Sequence, residues 1–438
     1  MVRAEIIAIG SELLLGGAAE TNSLYLADEL LKIGIEVRHK TVVGDDPRDI
    51  EEALLHALAR VHLVITTGGL GPTQDDLTRK VVARVTARRL VLHDKALAAI
   101  TQRLTARHRS VTPEQTTQAL IPMRAEVIPN PVGTAPGFFL YHKNEGVKDE
   151  RALMCLPGPP SEITRMFPEG CVALLEPLAG KSARGTLVRR RLRTFGLVES
   201  EVNARLKDLY ETERHAVIGL QAGEMGVDVS ITVRDRHAQA AEAVVKRVER
   251  AVRERVGDHL YAAGGQTMEG VVAMKLKAKG LTVAVGESCT GGLIAQRLTS
   301  VPGSSAYFDR GLVTYSNRAK VDLLKVPAAL IREKGAVSAE VASAMAQGVR
   351  ERSGTDLGMA VTGIAGPSGG TREKPVGLVF LALADKKSTV CRSYLFGGDR
   401  DGVRRRASQA ALDLLRRYLS GKTSAEHPHL ALPPRGGG

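Results

Sequence analysis

Residues 63–78 read LVITTGGLGPTQDDLT: an apolar run from Leu63 to Thr66, a loop carrying Gly68, Gly69 and Gly71, and Asp75 and Asp76 where a helix is expected to start. An apolar run of this length closed by glycine marks a strand buried on both faces. A Gly-rich turn leading into a helix lets backbone N–H groups approach an anion and adds the helix's positive end. The same signature returns toward the N-terminus, where Ala4–Ile9 is closed by Gly10. Between the two runs, Thr21 or Asn22 is expected to cap a helix with Leu24, Ala27, Leu30 and Leu31 on one face, stopped by Gly34. A strand over Val37–Val43 follows, and Asp46 and Pro47 open a helix striped by Ile50, Leu54, Ala57 and Leu58. Strand and helix alternate, which predicts an α/β fold with a parallel sheet, right-handed crossovers and ligands at the carboxyl ends of the strands.

Farther along, residues from about Lys181 to Val256 differ in character: an Arg-rich strand, a helix over Glu199–Tyr210, a strand over Val227–Val233 and a long helix over His237–Arg255, together a small α+β element. Its run RRRLR, Arg189–Arg193, reads as a solvated strand edge. AAGGQ at Ala262–Gln266 reads as a linker, and a second α/β domain begins near Met268. In that domain Leu281–Val285, Leu357–Val361 and Val376–Ala382 are expected strands. Helices are expected over Gly292–Thr299 and Ser338–Arg352, the latter striped by Val341, Ala344, Met345 and Val349. The tail after Lys422, rich in Pro, Gly and His, is expected to be disordered.

The 438 residues suffice for two or three domains. With 43% hydrophobic and 25% charged residues, the composition excludes disordered and fibrous classes. The longest apolar run, Leu378–Ala384, is far short of the ~20 residues a membrane span needs. Glu5 and Glu12 interrupt what a secretory signal would keep apolar, so a cytoplasmic protein is expected. Cys155, Cys171, Cys289 and Cys391 form no CxxC pair, which suits a reducing compartment. A net charge of +13 fits nucleic acid or phosphorylated metabolites, and aromatics at 3% without Trp supply little surface for stacking bases, which favours small phosphates.

Chemistry concentrates in loops. In the N-terminal part these are GSELLLGG (Gly10–Gly17, with Ser11), the TTGGLGPTQDDLT loop (with Pro72 and Thr73), LPGPPSE (Leu156–Glu162, with Gly158) and NPVGTAPGF (Asn130–Phe138). Asp75 and Asp76 either cap the following helix or help hold a divalent metal beside a phosphate. In the C-terminal part, GESCTGG (Gly286–Gly292) places Ser288 and Thr290 on a strand-to-helix turn, where hydroxyls and N–H groups converge on an oxyanion or a phosphate. Ser288 is the candidate nucleophile, and Tyr315, Asn317 and Lys320 of YSNRAK are candidates to activate it, Lys320 if burial lowers its pKa. Cys289 is a rival nucleophile that reads better as a buried thiol. TGIAGPSGGTREKPVG (Thr362–Gly377) offers Gly363, Gly366, Gly369, Gly370, Thr371 and Lys374 to a phosphate monoester, and Arg400 or Arg404 a guanidinium.

These motifs, in this order over nearly residues 1–418, resemble the CinA family of competence/damage-inducible proteins. Gly286 stands where that family commonly has Ala and Arg318 where an acid is frequent. The resemblance implies a molybdopterin-binding-like domain over 1–175, a small KH-type domain over 176–262 without the GxxG loop of RNA-binding versions, a nicotinamide-nucleotide amidase domain over 266–420, and a tail over 421–438. It implies hydrolysis of the carboxamide of nicotinamide mononucleotide in pyridine-nucleotide salvage, with Ser288 attacking, Tyr315 or Lys320 taking its proton, backbone N–H groups of Thr290, Gly291 and Gly292 holding the oxyanion, and Thr362–Lys374 gripping the 5′-phosphate. No cofactor is implied for that reaction. For the N-terminal domain it implies cleavage of ADP-ribose with a divalent metal, with Glu12, Asp75 and Asp76 as the acids to test. The competing readings are a DNA-recombination accessory protein without catalysis and a molybdopterin-binding protein. A relic, however, has no physical need for Ser288, Tyr315 and Lys320 together. A homodimer is the expected assembly.

Overall fold

The computed structural model describes residues 2–143, 150–180 and 186–422, so the expected tail disorder lies outside the described residues. The chain divides into two compact units, Met1–Val188 with Val233–Ala243, and Arg189–Thr232 with Val244–Gly438.

The first unit is built on β1 (Val2–Ile9), β2 (Ile35–Val43), β3 (Leu63–Thr67), β4 (Leu90–Leu92), β5 (Leu120–Pro122), β6 (Glu126–Ile128), β7 (Gly137–His142) and β8 (Arg151–Leu156). Six of them form one sheet in the order β2-β1-β3-β8-β7-β6, and β4 pairs β5 antiparallel apart from it. The β1–β2, β1–β3 and β3–β8 ladders are parallel, as alternation requires. The β8–β7 and β7–β6 ladders are antiparallel, so the sheet is mixed. Alternate residues feed two cores: Ile6, Ile65 and Met154 pack with Leu26, Leu30 and Met166, and Ile7, Val64 and Leu153 with Ile50, Leu54 and Val82. Helices on both faces explain why β3 reads as an unbroken apolar run and β1 as an apolar run broken only by Arg3 and Glu5. Pro47–Arg60 is helical with Asp46 capping the Arg48 amide, and its four expected stripe residues are all buried. In the helix Asn22–Lys32 the buried face is Ser23, Leu26 and Leu30, whereas Leu24 is 62% exposed; packing on β1 and β2 sets a helical phase one residue away from the expected one.

Most of a four-stranded sheet lies in the second unit: β9 (Thr186–Thr194), β10 (Ala216–Gly223), β11 (Gly226–Asp235) and β12 (Leu260–Ala263), in the order β10-β11-β9-β12. This corrects two expectations. RRRLR lies on β9, an interior strand rather than an edge, and Ala262 and Ala263 of the expected linker belong to β12, which pairs β9 antiparallel. The third sheet contains β13 (Val283–Glu287), β14 (Phe308–Val313), β15 (Leu357–Gly363), β16 (Leu378–Ala384) and β17 (Thr389–Leu395), ordered β14-β13-β15-β16-β17. β13 is parallel to β14 and β15, while β16 and β17 run antiparallel, joined by a short turn that leaves no room for a crossover helix. One face packs on Ala407, Ala411 and Leu415 of the helix Arg400–Leu419, the other on Val341, Met345 and Val349 of the helix Ala339–Ser353. No helix among the described residues is long and apolar enough to cross a membrane.

Candidate active sites

β13, an interior strand next to the edge of the third sheet, delivers Ser288 at its carboxyl end beside the end of β15, where the Ser288 amide donates to the Val361 carbonyl (3.1 Å). The preceding Glu287 is fully buried, and its carboxylate is saturated. Oε2 accepts from Thr290 Oγ1 (2.6 Å), Gly292 N (2.9 Å) and Ile294 N (3.2 Å), and Oε1 from Ala295 N (2.8 Å). The N-terminus of the helix Leu293–Thr299 is therefore already filled by an anion of the chain itself, not left open for a ligand. The Gly291 amide is likewise committed, to the Ser288 carbonyl (3.1 Å). This corrects the expectation that Gly291 and Gly292 donate to an oxyanion. Among the described residues, the amides of Cys289 and Thr290 have no oxygen acceptor and lie against the Cys289 sulfur instead.

Lys320 comes from the helix Asn317–Leu324, capped by Ser316, and is 1% exposed. Its Nζ lies 3.1 Å from Ser288 Oγ, 2.9 Å from the Thr314 carbonyl and 3.2 Å from the Tyr315 carbonyl. Burial lowers its pKa. In its neutral form the amine would keep two N–H donors for the two carbonyls and present its lone pair to the Ser288 hydroxyl proton. The Tyr315 side chain does not compete for that role: it is 58% exposed and its hydroxyl accepts from Arg400 Nη2 (2.8 Å). Asn317 is exposed at the start of its helix. Burial pushes the Cys289 thiol up to about 12, which makes it a poor nucleophile.

Arg400 Nη1 donates to the Gly366 carbonyl (2.7 Å) and Arg404 Nη2 to the Thr290 carbonyl (3.1 Å), so one helix ties the loops on either side of Ser288. Gly366 has φ +82°, and a Cβ there would lie 2.6 Å from Val376 Cγ1. Several expected phosphate ligands are used internally. Thr362 Oγ1 donates to Ala336 O (2.8 Å), Thr371 and Lys374 close a turn on each other (2.8 and 3.0 Å), and Lys374 Nζ donates to Lys334 O (2.7 Å). A Cβ on Gly363 or Gly370 would each lie 2.7 Å from the Val379 side chain or the Val376 amide, while Gly369 takes a positive φ; these three glycines shape the loop.

In the first unit, the three Gly-rich loops meet around a cavity of about 330 Å³ lined by Gly10, Gly68, Gly69, Gly71, Pro72 and Gly158 together with Glu12, Asp75, Asp76 and Glu162. Gly68, at φ +108°, has its Cβ position 2.1 Å from the Ile9 carbonyl, so only glycine lets the second loop cross the end of β1. Asn22 Nδ2 links the loops by donating to Thr67 Oγ1 (2.9 Å) and Gly158 O (2.6 Å). Ser11 is held by Asp45, its amide donating to Oδ2 (2.8 Å) and its hydroxyl accepting from the Asp45 amide (3.1 Å). Asp76 neither caps the helix, which starts at Thr78, nor stands free for a metal. It accepts from the Gly71 amide (2.7 Å) and from the Thr73 amide (2.8 Å) and hydroxyl (2.6 Å), stapling the loop. Glu12 and Asp75 are exposed to the cavity. Burial raises the pKa of Glu162, against the opposing effects of its hydrogen bond from Asn130 and the charges of Arg103 and Arg107.

No group of three His, Cys, Asp or Glu side chains that could hold a metal converges among the described residues. The donor set is all oxygen, which suits a hard divalent cation held by one or two carboxylates and completed by substrate phosphates. Two residues escaped the sequence reading. Arg79, 5% exposed, donates to the Leu70 and Gly71 carbonyls and lays a cation beneath the loop; burial lowers its pKa to about 10, so it stays charged at neutrality. Gln118, 1% exposed, lines the cavity with an Oε1 that has no partner. An orphaned buried acceptor costs about 1–3 kcal/mol. Neither lies in a Gly-rich motif, and for Gln118 nothing in the sequence gave a signal.

A mixed three-layer α/β unit with a loop-lined cavity, and a second unit presenting a serine against a buried lysine, define the class. Among family models, the probable molybdopterin binding domain matches residues 5–176, the damage-inducible protein CinA KH domain 189–262 and the CinA C-terminal domain 265–419. The CinA-like protein of Geobacter metallireducens is 45% identical over 419 residues, covering 95% of this chain and 99% of that one, and the CinA-like protein of Kosmotoga olearia 41% over 418, covering 95% and 99%. The solved competence/damage inducible protein of Agrobacterium tumefaciens is 42% identical, covering 35% of this chain and 97% of that one at a TM-score of 0.34. The chain belongs to the CinA family.

Proposed function

We propose that the second unit is a serine–lysine amidase that hydrolyses the carboxamide of nicotinamide mononucleotide to nicotinate mononucleotide and ammonia. The observation that carries this is the 3.1 Å approach of Lys320 Nζ to Ser288 Oγ, with the same nitrogen also held by the Thr314 and Tyr315 carbonyls. Ser288 Oγ bonds to the amide carbon as its proton passes to Lys320 Nζ. The oxyanion is held by the amides of Cys289 and Thr290, the two in the turn that donate to no oxygen. Lys320 returns the proton to the departing nitrogen, the C–N bond breaks and ammonia leaves. Water, deprotonated by the same amine, then cleaves the ester. No metal or cofactor enters these steps. The test is ammonia release by wild type, Ser288→Ala and Lys320→Met; the reading is sunk if Lys320→Met keeps wild-type turnover.

For the first unit we infer cleavage of ADP-ribose at its pyrophosphate, supported by the cavity where three Gly-rich loops meet and by Arg79 beneath it. Glu12 and Asp75 would hold the divalent metal together with substrate phosphate. Such a cation offsets phosphate charge and lowers the pKa of water. Asp76 keeps the loop in shape, so Asp75→Asn is expected to abolish AMP production while leaving the fold intact.

A further inference from the structure

The first unit holds a second cavity of about 530 Å³. Its apolar wall includes Ile100, Val127 and Pro129, and its cations are Lys95 and Arg103. Neither cation enters an ion pair among the described residues, whereas Glu169 on the same wall is taken by Arg165 (2.8 Å). The cavity is thus net positive. Thr134 lines both this cavity and the one formed by the Gly-rich loops, and the charge of Arg103 is felt by Glu162 in that first cavity. In the first cavity the unpartnered Oε1 of Gln118 calls for a hydrogen-bond donor such as a sugar hydroxyl.

We propose that the two cavities divide a dinucleotide between them: the nucleoside monophosphate half lies in the second cavity, base on Ile100, Val127 and Pro129 and phosphate toward Lys95 and Arg103, and the terminal sugar phosphate lies in the first, with a ribose hydroxyl on Gln118. The scissile pyrophosphate then falls near Thr134, where the cavities meet. This rests on the pyrophosphatase reading of the unit and assigns the orientation of its substrate. An apolar wall with a few convergent polar groups is the usual build of a small-molecule site, and unpaired Arg and Lys side chains supply the charge-assisted bonds a phosphate takes.

The test is calorimetric titration of the full chain with AMP and, separately, ribose 5-phosphate, in wild type, in Lys95→Ala/Arg103→Ala and in Gln118→Leu. The double variant is expected to weaken AMP by roughly tenfold or more and leave ribose 5-phosphate nearly unchanged, and Gln118→Leu to do the reverse. Each variant's unaffected ligand reports that it is folded. Equal weakening of both ligands, no selectivity, or wild type that fails to bind AMP overturns the assignment. Selective binding without ADP-ribose cleavage removes the pyrophosphatase reading alone, and cleavage without selective binding removes only the orientation.

Discussion

At Lys320 an amine sits with two backbone carbonyls and one serine hydroxyl for company, and its burial penalises the charged form. Because the folded pKa is depressed below 10.5, the unfolded chain binds a proton that the folded chain does not, over the window between the lowered value and 10.5. Stability therefore rises with pH across that window. Lys320→Met is expected to flatten that rise in urea titrations at several pH values, while lowering amidase turnover by roughly a hundredfold or more, the worth of a positioned general base. Wild-type turnover should climb as pH rises through the lowered pKa and then level off. Tyr315→Phe removes only a hydroxyl that accepts from Arg400, so it is expected to cost far less than Lys320→Met; an equal loss would return Tyr315 to the role of base. Cys289, with its thiol near 12, is expected to resist iodoacetamide in the native protein at neutral pH, and inactivation with alkylation at Cys289 would contradict its assignment as inert.

Among the elements, the turn after β13 depends most on one side chain. Glu287→Ala would strip an acceptor from three backbone amides and the Thr290 hydroxyl inside the protein, an expected loss of about 3 kcal/mol or more read as a lower denaturation midpoint. An unchanged midpoint would mean the loop is held by other bonds. Elements with their own local signals were legible in the sequence. The helix Pro47–Arg60 announced itself through Asp46, Pro47 and a full apolar stripe, and β3 through its apolar run ended by Gly68. Those whose character comes from partners were not. RRRLR is a charge run of the kind that edge strands carry, yet tertiary pairing puts it between two strands, and β16–β17 reverse direction through a turn no longer than many loops. Of the candidate site, Ser288 was legible from a strand-to-helix turn, a local pattern, and Lys320 only as one of three polar groups offered by the segment YSNRAK. Their meeting across 32 positions, the saturation of Glu287 and the orphan at Gln118 are properties of packing alone.

At the scale of the whole molecule, most of the KH-matched segment, all but Val233–Ala243, shares one compact unit with the C-terminal sheet. Phe195 belongs to the same apolar cluster as Met268, Val403 and Ala407; Gln409 Nε2 donates to the Met225 carbonyl (3.2 Å) and Arg416 Nη2 to the Asp258 carbonyl (2.7 Å). A fragment beginning at residue 265 is therefore expected to unfold at lower urea than one beginning at 189, since exposing the partner of one buried aromatic alone costs about 1.5–3 kcal/mol. Equal midpoints would show that this packing contributes nothing. The central claim is the Ser288–Lys320 pair, and ammonia release from nicotinamide mononucleotide by the full chain tests it most directly. Release by wild type that collapses in both Ser288→Ala and Lys320→Met, with each variant folded, is the expected result. No release by wild type, or release that survives either substitution, would contradict it.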